Sequence, residues 1–188
     1  MHSLIRVERT TTNDHNFQLL VQQLDHELWN ELKEDQATYD QYNKVPDIKT
    51  AIVVYFDKEP AAIGCFKKLD HETVEIKRMF VRKTFRGQGL SKLVLQELER
   101  WAAEGGQKQA ILETSIHFTT AKNLYLSNGY NITPNYEPYV GLEESVCMKK
   151  HQQPQQQIRL LPVFVIRQLL LMILPGSWAV CMGMASLV

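Results

Sequence analysis

Apolar positions recur at helical spacing along three stretches of the chain and in short, partly alternating runs along six others. "SLIRVER" (3–9) predicts an opening strand. "TTND" then offers N-cap residues, and Phe17, Leu20, Val21, Leu24, Leu28 and Leu32 mark one face of a helix. Three strand-like runs follow, "TAIVVYF" (50–56), "AAIGCFKKL" (61–69) and "TVEIKRMFV" (73–81), and their short turns "DKEP" and "DHE" predict an antiparallel meander. Leu90, Leu93, Val94, Leu98 and Trp101 give a second helix face, stopped by Gly105-Gly106. "QAILETS" (109–115) reads as a strand, "TTAKNLYLSNGY" as a short helix ending at Gly129, and "SVCMKK" (145–150) as a last strand. The order is not a strict strand–helix alternation. It predicts an α/β (α+β) domain, a mixed and mostly antiparallel sheet of six to seven strands flanked by helices. Within "TVEIKRMFV", period-2 alternation assigns Val74, Ile76 and Phe80 to one face and Glu75, Lys77, Met79 and Val81 to the other.

The pattern breaks after Lys150. Residues 1–150 form the predicted domain, "HQQPQQQ" (151–157) is a glutamine-rich linker, and 158–188 is an almost wholly apolar tail. Residues 168–188 carry no charge, which is long enough for a membrane anchor, but Pro175, Gly176 and Ser177 interrupt the run midway. No amphipathic face ties the tail to the domain, so the favoured reading is an extension outside the fold. A membrane partner follows only if the tail is an anchor.

The chain of 188 residues is formally neutral, and the first 150 residues hold 19 Lys and Arg against 21 Asp and Glu. A near-neutral domain without a basic stripe is a poor candidate for general nucleic-acid binding. Cys65, Cys147 and Cys181 are few and far apart, and the six histidines lack metal-ligand spacing, so neither a disulfide framework nor a metal site is expected. "MHSLIRVERTTTND" has no apolar core of signal-peptide length, which predicts a cytoplasmic domain.

The specific chemistry begins at "VRKTFRGQGLSKLV" (81–94), where a strand passes to a helix through a basic, glycine-containing turn. Such a turn aims backbone N–H groups at one point where the helix dipole also favours an anion. Gly87 and Gly89 permit close approach and positive φ, and Arg82, Lys83 and Arg86 offer charge-assisted bonds. A P-loop spacing is absent. A dinucleotide fingerprint fits poorly, because Lys92 stands at its third glycine and the preceding strand closes a meander. "R-G-Q-G-L-S" (86–91) instead resembles the [RQ]-x-x-G-x-[GA] motif of the GNAT superfamily of acyl-CoA-dependent N-acyltransferases. "A-K-N-L-Y-L-S-N-G-Y" (121–130) resembles the A-x-x-L-Y-x-x-x-G-[FY] signature that follows in that family. The order of elements is similar from about residue 3 to 150, and the end of the domain resembles one group of small bacterial members. Ser91 departs from the usual Gly or Ala but is still small.

The resemblance implies acetyl-CoA as co-substrate, with no metal, and transfer of its acetyl group by direct attack of an amine. It assigns cofactor contacts to Met79, Phe80, Val81, Arg86, Gly87, Gln88, Gly89, Leu90 and Ser91, and Asn123 would line the cofactor cleft or face solvent. It implies Glu75 as general base, with Glu113 on the next strand as the competing carboxylate. Tyr125 would be the general acid that protonates the CoA sulfur, and the N–H of Met79 would hold the thioester oxygen. The acceptor, a small-molecule or peptide amine, would enter between Tyr39 and Tyr42 and the loop "NYEPY" (135–139), near Asp40, Asp47 and Glu137. A homodimer in the family style is also implied. The reading from another class is a non-catalytic acyl-CoA-binding or sensor module. His71 and His117 are read as loop histidines, and Cys65 and Cys147 as buried strand residues without a neighbouring base.

Overall fold

The computed structural model describes residues 4–32 and 48–152. Tyr39, Asp40, Tyr42, Asp47, the linker beyond Gln152, Cys181 and the apolar tail lie outside the described residues. In chain order the elements are β1 (Ile5–Thr10), α1 (His15–Leu32), β2 (Ala51–Phe56), β3 (Glu59–Lys68), β4 (Thr73–Val81), a 3₁₀ turn (Lys83–Phe85), α2 (Leu90–Glu104), β5 (Gln109–Ser115), α3 (Thr119–Ser127), β6 (Asn131–Ile132) and β7 (Ser145–His151). One seven-stranded sheet runs in the order β1-β2-β3-β4-β5-β7-β6. Among the described residues its only parallel pair is β4 with β5; the other neighbours are antiparallel. The expected mixed sheet is therefore present, with the two-residue β6 as the strand the sequence pattern does not mark.

Local chemistry explains the element ends. Asp14 caps α1, its Oδ1 accepting the Phe17 N–H at 2.9 Å. Asp70 closes the β3–β4 turn by accepting from the N–H groups of Glu72 and Thr73, each at 2.7 Å. Those bonds hold the Asp70 carboxyl below its ordinary range.

Both faces of the sheet are buried, which is why β2 reads as a continuous apolar run. Ile52, Val54, Phe66, Val74 and Ile76 pack against Leu90, Val94, Leu95 and Leu98 of α2. Ala51, Val53, Tyr55, Ile63 and Cys65 form the second core with Phe17, Leu20 and Val21 of α1. Burial of Cys65 pushes its thiol up to about 12, consistent with the inert strand residue expected.

β4 departs from the simple alternation. Its pairing with β3 shifts by one residue between Phe80 opposite Ile63 and Lys77 opposite Cys65. Arg78 absorbs the extra residue in a left-handed conformation, φ 58°. Across from this bulge sits Gly64, where a Cβ would lie 2.7 Å from Val94 Cγ1, so α2 can pack closely there. The bulge reverses the faces beyond it. Met79 and Val81 join Val74 and Ile76 on the α2 side, and Phe80 turns to the α1 core. The alternation assigned from sequence to Met79, Phe80 and Val81 is thus corrected by one inserted residue.

Candidate active site

The site lies where the sheet opens. β4 and β5 pair only at Thr73–Glu75 with Gln109–Ile111. Beyond that point β5 continues along β7, while β4 follows β3 and leaves its other edge without a strand partner among the described residues. A groove of about 670 Å³ fills the gap. Ile76 to Val81 form one wall, Glu113 to Ser115 the other, and α1 and the start of α3 close the sides. An unpaired strand edge presents free N–H and C=O groups that an extended ligand can satisfy.

At one end the groove meets the glycine turn. Gly87 and Gly89 have φ of 79° and 76°, conformations that the Cβ of other residues disfavours. Gly89 is the N-cap of α2 and offers no side-chain cap, and the first turn of α2 has no acidic residue. The first N–H groups of the helix are consequently left to a ligand or water. Arg86, Gly87, Gly89, Leu90 and Ser91 line the groove, whereas Gln88 is exposed outside that lining. Arg86 is tied back, donating from Nε to the Val81 carbonyl at 2.9 Å and from Nη2 to Glu27 at 2.6 Å. Arg82 faces elsewhere, toward Glu59 and the Pro60 carbonyl. The cradle is therefore mainly backbone, with less side-chain charge than the three basic residues suggested.

The opposite end is built from side chains. Glu75 is buried, and its Oε1 accepts from Tyr139 at 3.0 Å, Tyr136 at 3.2 Å and Lys77 at 3.3 Å. Lys77 also donates to the Tyr139 hydroxyl at 2.9 Å. Burial and the adjacent Glu75 charge push both phenols far above their ordinary range, so they remain donors. Tyr136 and Tyr139 come from the late loop that the sequence placed near the acceptor. Asn135 holds that loop, its Nδ2 lying 3.2 Å from each of the Tyr139, Leu142 and Ser145 carbonyls. Nothing in its sequence context singles Asn135 out.

Glu113 and Tyr125 reach the groove itself, and Glu75 does not. Glu113 accepts from Ser145 Oγ at 2.9 Å, and burial holds its carboxyl above the usual range. Tyr125 is buried on α3 with its ring 5.8 Å from Tyr130. Burial, reinforced by the charge of Glu113, raises its phenol well above the ordinary value and keeps the proton on it. His117 also lines the groove, 3.3 Å from Glu144, and His71 is solvated in its turn. Asn123 is exposed and outside the lining, on the solvent side of α3.

Arg78 is a residue the sequence pattern did not mark as functional. Its side chain is 5% exposed and lines the groove from the bulge, and Nη2 meets Asp25 of α1 at 2.5 Å. Its Nε and Nη1 are buried with no hydrogen-bond partner among the described residues. Leaving a buried donor unpaired costs about 1–3 kcal/mol, more when it is charged. Among the described residues no cluster of His, Cys, Asp and Glu is able to hold a metal ion, and no helix is long and apolar enough to cross a membrane.

Known proteins share this architecture. The IAA acetyltransferase of Azospirillum brasilense is 33% identical over 76 residues, which are 40% of this chain and 50% of that protein. The matched stretches span 31% and 50% of the length of two curated relatives. A solved Klebsiella pneumoniae chain described as an acyl-CoA N-acyltransferase superposes with a TM-score of 0.65 at 26% identity, covering 80% of this chain and 98% of its own. A GNAT acetyltransferase of Elizabethkingia anophelis, solved with acetyl-CoA bound, has a TM-score of 0.55 at 17% identity and covers 78% and 97% of the two chains. The sequence profile of the Acetyltransferase (GNAT) family matches residues 15–130, more than half of the chain and both walls of the groove. The chain belongs to the Acetyltransferase (GNAT) family.

Proposed function

We propose that the chain is an acetyl-CoA-dependent N-acetyltransferase acting on an amine in the groove between β4 and β5. The observation that carries this reading is the placement of Glu113 and Tyr125 in one groove whose facing wall is the open edge of β4. The pyrophosphate of CoA sits on the N–H groups of Gly87 to Ser91, and the pantetheine arm runs along β4 from Val81 to Met79. No metal takes part.

The amine nitrogen attacks the thioester carbon, and the carbonyl electron pair moves onto oxygen, held by the Met79 N–H. Glu113 takes the proton that nitrogen must lose. The intermediate then expels the CoA sulfur, the C–S bond breaks, and Tyr125 gives its proton to the departing thiolate. Burial keeps the phenol protonated, so the proton is present to be given. Glu113 is preferred to Glu75 as base because three donors already engage Glu75 outside the groove lining. Glu75 instead fixes Lys77, Tyr136 and Tyr139. The acceptor is a small-molecule or peptide amine, residues 1–150 form the transferase domain, and the setting is cytoplasmic. A homodimer is the proposed assembly.

Calorimetric titration with acetyl-CoA and CoA, using NAD and ATP as comparisons, tests the cofactor. Tyr125→Phe tests the chemistry and separates an enzyme from an acyl-CoA sensor. The expected result is selective binding of acetyl-CoA and CoA, with kcat in the variant reduced on the order of 10²-fold. Unchanged turnover across pH would remove Tyr125 as the acid.

A further inference from the structure

We propose that Arg78 binds a carboxylate of the acceptor, making the preferred substrates amino acids or other amines that carry a carboxylate. The inference rests on the acetyl-transfer reading above and names the substrate class for that groove.

Three observations converge on Arg78. The β4 bulge puts this residue in a left-handed conformation, φ 58°, and its side chain lines the groove rather than either apolar core. The guanidinium is almost fully buried, yet its ion pair with Asp25 engages only Nη2. Nε and Nη1 retain donors with no partner among the described residues. A buried, always-charged donor set of this kind calls for an anion, and a carboxylate matches the planar guanidinium fork. The adjacent cation, Lys77, is already engaged by Glu75 and the Tyr139 hydroxyl.

The groove also supplies the opposite charge. Glu113 lies on the facing strand, with Glu27 and Glu31 of α1 along the side. A zwitterion therefore finds a guanidinium for its carboxylate and a carboxylate for its ammonium group. A simple amine uses Glu113 alone and leaves the Arg78 donors unpaired. Sites that hydrogen-bond a substrate group discriminate against analogues lacking it for this reason.

The test uses the full chain and saturating acetyl-CoA. Initial rates of CoA release are measured for free α- and ω-amino acids, each beside its own amide. At least one amino acid is expected to exceed its amide in kcat/KM by about tenfold or more. Arg78→Lys keeps a positive charge opposite Asp25 but removes the guanidinium fork, and the acid-to-amide ratio should collapse toward one. A second readout needs no variant to be active: the Arg78 Nε–H resonance of the wild-type protein should move when the preferred amino acid is titrated with CoA present. Its amide should leave that resonance in place.

Equal rates on acids and amides, a ratio preserved in Arg78→Lys, or an unmoved resonance with every amino acid would each overturn the proposal. Calorimetry with acetyl-CoA distinguishes the two layers. If acetyl-CoA binds and amides are acetylated as well as acids, only the Arg78 assignment falls. If acetyl-CoA does not bind, the transferase reading falls first and takes this inference with it.

Discussion

The two ends of the groove are made of different material. At the glycine turn the binding surface is backbone: positive-φ glycines, uncapped N–H groups of α2 and an unpaired strand edge. At the far end it is side chains from distant parts of the chain, Lys77 and Arg78 of β4, Glu113 of β5 and Tyr125 of α3, with Glu75 and two tyrosines of the late loop holding Lys77 from behind the lining. A backbone cradle accepts one invariant chemical group almost regardless of neighbouring side chains. A side-chain cluster sets which partner meets it. The first end suits a common cofactor, and the second suits a particular acceptor.

This contrast can be broken most severely at Glu113. Glu113→Gln should lower kcat/KM by about 10²- to 10⁴-fold while calorimetric affinity for acetyl-CoA persists. The pH profile carries its own sign. A base must be ionised, and burial raises the Glu113 pKa, so wild-type activity should climb with pH through a limb above the ordinary carboxylate range. The same shift means that ionising Glu113 costs folding stability as pH rises through that limb. If the variant keeps its rate and its acid limb, the base is elsewhere and Glu75 becomes the candidate again.

Gly89→Val probes the backbone end. A β-branched residue at φ 76° is strained by about 1–2 kcal/mol, and relief of that strain tilts the N–H groups away from their common point. Affinity for acetyl-CoA should fall by about tenfold. Calorimetry that finds it unchanged would show that the turn is not the cradle.

The mildest perturbation is Asn135→Ala, which frees the Tyr139, Leu142 and Ser145 carbonyls from one amide. Stability should drop by about 1–3 kcal/mol in denaturant titration. The acceptor KM should rise while the acetyl-CoA KM stays within about twofold. A parallel loss at both ends would mean that the two regions are not separable.

The same division governs what can be read from the sequence. "RGQG" and "AKNLYLSNGY" are local, and backbone geometry follows from nearby residues, so the glycine turn and nearly every strand and helix are legible. The bulge is not. "TVEIKRMFV" alternates smoothly, and the glycine that accompanies the irregularity is Gly64 on the neighbouring strand. Strict period-2 alternation, with no bulge, puts Phe80 on the wrong face and leaves Arg78 unmarked. Glu75 is visible as a polar residue in an apolar strand, but its two tyrosine partners lie 61 and 64 residues away. Only tertiary structure brings them together and leaves Glu113 facing the groove.

The three residue pairs that join β4 to β5 also have a mechanical meaning. They are a seam between a four-strand half-sheet and a three-strand half-sheet, much shorter than the seven-residue contact between β5 and β7. Pulled across the strands, the domain should part there first. A pantetheine arm lying along the seam would act as a splint, so the force needed to open the domain should increase with acetyl-CoA concentration, as should its melting temperature.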